Sequence, residues 1–575
     1  MRILLLTHAF NSLTQRLGAE LQGRGHEVSI EFDIADSVAE EAVALFKPHL
    51  IVAPYLRRAI PESIWARHVC LVVHPGIVGD RGPSALDWAI QGGASEWGVT
   101  VLQAEAEMDA GPIWASATFP LRAAKKSSIY RNEVMQAATT AVLQAVERFA
   151  ADDFLPTPLA ECREVRGGLR PLMQQADRAI DWASDDTATV LRKINAADGF
   201  PGVADTLFGV ACHVFDAWPE AVLRGAADSR PGDLLVRRET AVLRKTLDGA
   251  VWIGHAKRAG DFKLPAALAF AAESAALPDA PLEGWWRSDS ATWQDIAYEE
   301  TGGVGFLHFE FYNGAMSTAQ CGRLRAALAW ARQRPVRVLV LMGGADFWSN
   351  GIHLNVIEAA SLGDGSPADE SWNNINAMND LARELIETEA QITVAALAGN
   401  AGAGGCFLAR AADLVWAREG VMLNPHYKNM GNLYGSEYWT YLLPRRVGEE
   451  GARDIMRNRQ PLTAQGAVAI GFGDACLAGD PQAFRIDVAR RAAEIAAAPD
   501  LAQQLATKRE RRAQDEAQKP LASYREEELS HMRRNFYGFD PSYHVARHHF
   551  VRKSLASWTP RHLARHRDLG WKVPM

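Results

Sequence analysis

The stretch Leu71-Val-Val-His-Pro-Gly-Ile-Val-Gly-Asp-Arg-Gly-Pro-Ser-Ala-Leu-Asp-Trp-Ala-Ile-Gln-Gly-Gly93 decides how the first half of the chain is read. An apolar run ends on His74, a Gly/Pro-rich loop follows, and helical spacing resumes at Ala85. That order predicts an imidazole at the carboxyl end of a buried strand, where open α/β sheets bind their ligands. A second apolar run within 98–114 ends near Asp109, 35 positions after His74. An imidazole and a carboxylate at neighbouring strand ends can position and protonate an amine leaving group during acyl transfer, although a lone His and Asp at loop starts are more often structural.

Working outward, Arg2–Thr7 and Glu27–Phe32 read as strands, 13–23 as a helix, and 49–54 and 70–73 as further short buried strands. The alternation predicts a mainly parallel sheet covered on both faces. No G-x-G-x-x-G follows the first strand, so a dinucleotide site is not indicated. The whole chain, 575 residues, is several times a ~150-residue domain, and about two to four domains are expected. A hydrophobic fraction of 48%, a charged fraction of 23% and 17 Trp exclude a disordered, collagen-like or coiled-coil protein.

No apolar window is long enough to span a membrane, and the opening Met1-Arg-Ile-Leu-Leu-Leu-Thr7 is too short for a signal-peptide core, so the cytoplasm is expected. The net charge of -8, from 69 acidic and 61 basic residues, argues against a general nucleic-acid binder. The end of the chain differs: residues 541–575 hold five Arg and two Lys against one Asp. Such a tail is either a solvated helical face or a clamp for the phosphates of a small ligand. Six scattered Cys without a C-x-x-C support neither a disulfide framework nor a metal site.

The pattern H-P, then R-G-x-S-A-x-x-W-A-I, then G-V-T and M-D-A-G resembles the 10-formyl-tetrahydrofolate-dependent formyltransferase and hydrolase domains. The resemblance implies a Rossmann-like domain (1–165) with His74 and Asp109 as the catalytic pair. Val72 stands where that family often has Asn, which removes a carbonyl-polarising donor worth ~3 kcal/mol in other oxyanion sites. Asp177-Arg-Ala-Ile-Asp-Trp182 looks like the start of the formyltransferase C-terminal domain, with Ser184 as the expected helix cap. The short alternating segments after it suit a small OB-like β-barrel (166–265). Residues 266–290, rich in Ala and Pro, read as a linker around a short helix.

The second half carries two glycine-containing turns after apolar strands, Phe347-Trp-Ser-Asn-Gly-Ile-His-Leu354 and Gly399-Asn-Ala-Gly-Ala-Gly-Gly-Cys406. Such turns free backbone N–H groups for a phosphate or for a thioester oxygen, or serve only tight packing. With Tyr312-Asn-Gly-Ala-Met-Ser317, Leu443-Pro-Arg-Arg-Val-Gly448 and Thr463-Ala-Gln-Gly-Ala467 they resemble the crotonase (enoyl-CoA hydratase/isomerase) family over 291–500, followed by a helical extension at 501–575. The resemblance implies oxyanion-hole amides at Ile352 and Gly404 and coenzyme A as thiol carrier. Both hydratase carboxylates are missing: Phe407 follows the Gly-Gly-Cys, and 424–431 holds no acid. Tyr427 and Glu437 stand in their place, with Ser436 expected to cap a helix that carries Glu437 in its first turn.

A formyltransferase half fused to a crotonase half resembles the HoxX/HypX hydrogenase maturation proteins. The resemblance implies an α/β multidomain enzyme that makes the carbon monoxide of the nickel-iron hydrogenase centre. Formyl would move from 10-formyl-tetrahydrofolate to coenzyme A at His74 and Asp109, and formyl-CoA would split into CO and free CoA at Tyr427 and Glu437. Implied partners are folate, CoA and the hydrogenase large subunit or its maturation machinery, with no nucleic acid, membrane or metal. For the CoA phosphates the expected groups are Arg131, Asn313 and Arg547. A bifunctional enzyme handling an ordinary acyl-CoA, or a non-catalytic folate- and CoA-binding scaffold, are the rival readings.

Overall fold

The computed structural model describes all 575 residues except 152, 163–164, 224, 226–227 and 569–575. The first sheet holds strands β1 (Arg2–Thr7), β2 (Glu27–Phe32), β3 (Leu50–Tyr55), β4 (Cys70–His74), β5 (Glu96–Gln103) and β6 (Ile113–Pro120) in the order β2-β1-β3-β4-β5-β6. β2 to β4 pair in parallel, whereas β5 and β6 are antiparallel, so the sheet is mixed towards one edge. The long helix Met135–Ala150 buries Ala138, Ala141, Val142 and Ala145 against the same core as Val99, Val101 and Leu71. Ahead of it, Tyr130–Val134 is one π-helical turn, an irregularity often met at functional sites.

A second, antiparallel six-stranded sheet spans Val203–Leu207 to Leu264–Pro265 and packs on the helix Thr187–Ala197 through Val190, Ile194, Val214, Val251 and Ile253. Asp186, not Ser184, caps that helix: its side chain accepts from Thr189 N. The stretch 266–290 opens on two short helices, Ala266–Ala269 and Ala271–Ser274. Ala266 and Phe270 are buried in the core of this sheet, so the connecting chain proper is shorter than the composition suggests.

In the second half, Val304–Phe309, Val338–Gly343, Ile392–Leu397, Leu414–Arg418 and Ala475–Leu477 form a parallel sheet, with Ile296–Thr301 antiparallel at its edge. Three of these strands run on into a second tier, Phe347–Ser349, Asn400–Gly402 and Met422–Asn424, which pair with one another. This tier brings the two glycine turns together. Helices Leu501–Gln518, Leu521–Tyr537 and Ser542–Arg552 wrap the core, with Leu521, Met532, Phe536 and Tyr543 buried in it. Among the described residues no helix is long and apolar enough to cross a membrane.

After the last helix the chain returns to the first domain. Ile30 N donates to Leu563 O (3.1 Å) and Phe32 N to Thr559 Oγ1 (2.9 Å), which covers the otherwise open edge of β2. Glu31, 0% exposed, takes His566 Nε2 at 2.8 Å and Arg567 Nη2 at 2.7 Å. Part of the basic tail is therefore an internal strap and not a solvated face.

Candidate active sites

His74 closes β4, and the loop after it folds back so that Nε2 lies 2.9 Å from Asp80 Oδ1, with both side chains buried. The other ring nitrogen faces Asp109 Oδ2 at 3.6 Å, longer than a hydrogen bond. Asp109 is held by Gly82 N, which donates to Oδ2 at 3.1 Å. The structure thus brings the expected pair together and adds a third member. Asp80 was legible only as the acid in Gly-Asp-Arg-Gly within the loop; sequence reasoning passed over it. The imidazole, anchored from behind by one carboxylate, presents its free side to the other, an arrangement suited to moving a proton at a fixed point.

These groups open into a cavity of about 1080 Å³ lined by Tyr55, His74, Asp109, Ser127, Arg131 and Asp198 among others. Val72 also lines it, so the position that loses the usual Asn faces the cavity with an apolar side chain. Arg131, on the π-helical turn, reaches across to the second half. Its Nη2 donates to Asn313 Oδ1 at 3.2 Å, its Nη1 lies 3.7 Å from Asp346 Oδ2, and its guanidinium sits 4.6 Å above the Phe347 ring. Two residues expected separately at a phosphate site are therefore neighbours. Arg547 is elsewhere engaged: Nε donates to Glu358 Oε2 at 2.8 Å and Nη1 faces His544 Nδ1 at 2.7 Å, with only 5% of the residue exposed.

In the second half, Gly351 and Ile352 pair with Ala315 and Met316, and a Cβ on Gly351 would lie 3.3 Å from Gly404 N. The turns expected to supply two oxyanion-hole amides are thus in contact. Gly404 starts the helix Gly404–Arg410, so its amide belongs to the first turn, whose N–H groups lack partners further back in the helix. A Cβ there would come 2.4 Å from Glu437 Oε1, so only glycine lets the carboxylate approach the turn.

Glu437 is 1% exposed. It does not occupy the first turn of a helix capped by Ser436. Both Glu437 (φ 60°) and Tyr438 (φ 60°) are left-handed, and the helix begins at Trp439. Asn379 Oδ1 creates this bend by accepting from Ser436 Oγ (2.9 Å) and Glu437 N (2.8 Å). The displaced backbone turns the carboxylate inward, where Tyr427 Oη lies 2.5 Å from Oε2 and 2.8 Å from Ser436 O and its one proton serves these two acceptors. Burial pushes Glu437 up to about 8; the Tyr427 hydrogen bond opposes this, and the nearby Glu528 charge adds to it. Burial also raises Tyr427 far above the usual phenol range, with the Glu437 charge next in weight. Phe407, standing where hydratases carry an acid, stacks on the Tyr427 ring at 5.5 Å. Glu528, on the helix Leu521–Tyr537, accepts from Tyr438 N and Thr440 N and is itself pushed up to about 7 by burial. Neither Asn379 nor Glu528 gave a signal in the sequence, since both sit in helices whose spacing reads only as packing.

Residues 31–146 match the formyl transferase family, 172–273 the formyl transferase C-terminal domain, and 309–559 the enoyl-CoA hydratase/isomerase family. The hydrogenase maturation factor HoxX of Bradyrhizobium diazoefficiens is 53% identical over 569 residues, spanning 99% of this chain and 97% of that protein. The methionyl-tRNA formyltransferase of Ralstonia nicotianae is 25% identical over 258 residues, 44% of this chain and 77% of that one. Among solved structures, HypX from Aquifex aeolicus in complex with tetrahydrofolic acid superposes with a TM-score of 0.95 at 47% identity, over 100% of both chains. Two formyltransferase domains followed by a crotonase-like domain, in one chain and matched end to end, place this protein in the HoxX/HypX family of hydrogenase maturation factors.

Proposed function

We propose that the chain makes carbon monoxide for the nickel-iron hydrogenase centre by two reactions on one carrier. In the first, the CoA thiol attacks the formyl carbon of 10-formyl-tetrahydrofolate; the S–C bond forms, the N–C bond breaks, and the thiol proton passes by way of His74 to the folate nitrogen. Asp80 orients the imidazole and Asp109 stabilises its charged form. The cavity has room for a donor as large as a folate.

The second step splits formyl-CoA. Its formyl group has no α-carbon, so hydration and isomerisation do not apply, and a site without the hydratase acids is consistent with that. Amides at Ile352 and Gly404 hold the formyl oxygen. Glu437 takes the formyl proton, the C–S bond breaks with its electron pair going to sulfur to leave CO, and the thiolate recovers that proton from Glu437, which returns to its starting form. The observation that carries this reading is the buried Tyr427–Glu437 pair set against the Gly404 turn. Glu437, at about 8, is the member that can ionise near neutrality, while Tyr427 stays a phenol and acts as donor.

For the CoA phosphates, Arg131 and Asn313 supply adjacent donors at the seam of the two halves. Lys553 is near enough to Arg131 that its ammonium is destabilised, after burial, by that charge. An anion between them relieves this repulsion. Arg547, engaged by Glu358, His544 and Tyr543, would have to give up one of these partners to join them. Incubating the purified protein with 10-formyl-tetrahydrofolate and CoA in the presence of reduced haem as a CO trap tests the whole sequence. CO in amounts matching the folate consumed is expected; folate consumption with formate as the only one-carbon product overturns the second step.

A further inference from the structure

The strand that carries the Ile352 amide is gripped from both ends by residues whose other contacts reach the wall of the first cavity. Upstream, Tyr312–Gly314 forms a tight turn, and Asn350 binds it twice, through N to Gly314 O (2.7 Å) and Nδ2 to Asn313 O (2.8 Å). The turn leads directly into Ala315 and Met316, which pair with Gly351 and Ile352. Tyr312 Oη donates to Asp198 Oδ1 at 3.1 Å. Asp198 lines the first cavity beside Gly199, and its other oxygen accepts from Ser127 Oγ at 2.6 Å.

Downstream, Asn355 lies three residues past Ile352 in the helix Leu354–Ala359, and its Nδ2 donates to Lys263 O at 2.8 Å. The Lys263 ammonium then donates to Tyr312 Oη (2.9 Å) and to Gly199 O (3.1 Å). The two routes therefore meet at one phenol and one stretch of cavity wall. The Tyr312 ring is held by His255, whose ring centroid lies 4.2 Å away at a tilt of 31°, so its hydroxyl has little freedom to follow any other partner. None of these residues touches the Tyr427–Glu437 pair in the hydrogen bonds described, and none belongs to the His74 triad.

We infer that Tyr312 and Lys263 are positioning residues that couple occupancy of the folate cavity to the geometry of the Ile352 amide. A ligand that orders the Asp198–Gly199 wall orders the oxyanion strand with it, so the second ligand meets a strand whose ordering cost has already been met. The chain then splits its thioester best when the donor side is filled. This rests on the reading above that folate fills the first cavity and a CoA thioester the second site.

The test uses the full-length protein and a stable thioester, acetyl-CoA, with titration calorimetry. Tetrahydrofolate is expected to bind about fivefold or more tightly when acetyl-CoA is present, and acetyl-CoA to gain by the same factor when tetrahydrofolate is present. Tyr312→Phe keeps the ring and removes the hydroxyl; it should keep each single affinity and abolish the mutual gain, and Lys263→Met should do the same if the first variant folds poorly. In parallel, hydrogen exchange of residues 347–359 should slow on adding tetrahydrofolate alone in the parent and remain unchanged in Tyr312→Phe. Equal coupling in parent and variants overturns the inference, as does a parent without coupling or without protection of 347–359. Absence of acetyl-CoA binding in the parent instead strikes the functional reading, and the exchange experiment then still decides the coupling.

Discussion

Under the proposed scheme the two sites solve opposite problems with the same kind of proton-moving pair. His74 lines a large cavity, fixed by Asp80 and faced by Asp109. Glu437 is sealed between a glycine turn, a tyrosine and a second buried acid. In the open site carboxylates hold a base in place; in the closed one, burial itself makes a carboxylate into a base of raised affinity for protons. Chemistry on a large donor needs access, whereas removing the proton of a formyl thioester needs a dry, preset base.

The widest separation between the sites is expected from His74→Ala, which should lower formyl transfer about 10³-fold, within the usual range for a lost acid–base group, while CO release from supplied formyl-CoA stays at the parent rate. Asp109→Asn should act in the same direction. Measuring folate consumption and CO side by side checks this; a variant that still consumes the donor at the parent rate breaks the assignment of the open site.

Glu437→Gln is the mirror experiment. Formyl-CoA should accumulate and CO output fall about 10²-fold, since the hydrogen bond to Tyr427 survives in geometry but the base is gone. Normal CO output from this variant would return Glu437 to a structural role.

The closed site should also reveal itself in pH. A base pushed up to about 8 is mostly protonated at neutrality, so CO release from supplied formyl-CoA should rise about tenfold per pH unit below 8 and level off above it. The sign for stability is the reverse. Between the ordinary 4.5 and about 8 the folded site keeps a proton that the unfolded chain releases, so the contribution of Glu437 falls as pH rises through that window. A flat rate profile over this range would contradict the buried base. The smallest effect concerns the seam: Arg131→Ala should raise the KM for CoA about tenfold, roughly 1.4 kcal/mol, with kcat nearly kept.

Much of this arrangement was written locally in the chain. The strands Arg2–Thr7 and Glu27–Phe32 and the His74 and Asp109 positions follow from apolar runs broken by glycine and proline, and such signals act over a few residues. The Glu437 bend was misread as a helix start because its cause lies 58 positions away, in Asn379, which accepts from both Ser436 and Glu437. Asp80 stood next to a recognised residue and was still missed, since an acid in a turn has an ordinary reason to be there. Arg547 was counted with the free cations of a basic tail, whereas Glu358, 189 positions upstream, takes its Nε. Spacing reports what a helix or strand does with itself and is silent on partners brought by the fold.

The strap over β2 gives the molecule a schedule. Glu31 and His566 are 535 positions apart, and at ~5–20 residues per second a ribosome needs roughly 30 to 110 seconds between them. For the later part of that interval, once the helix Met135–Ala150 has been made, the first domain holds a buried acid still lacking its partners and one sheet edge unsealed. The strap at 559–567 thus finishes the first domain only after the second half of the chain has been made.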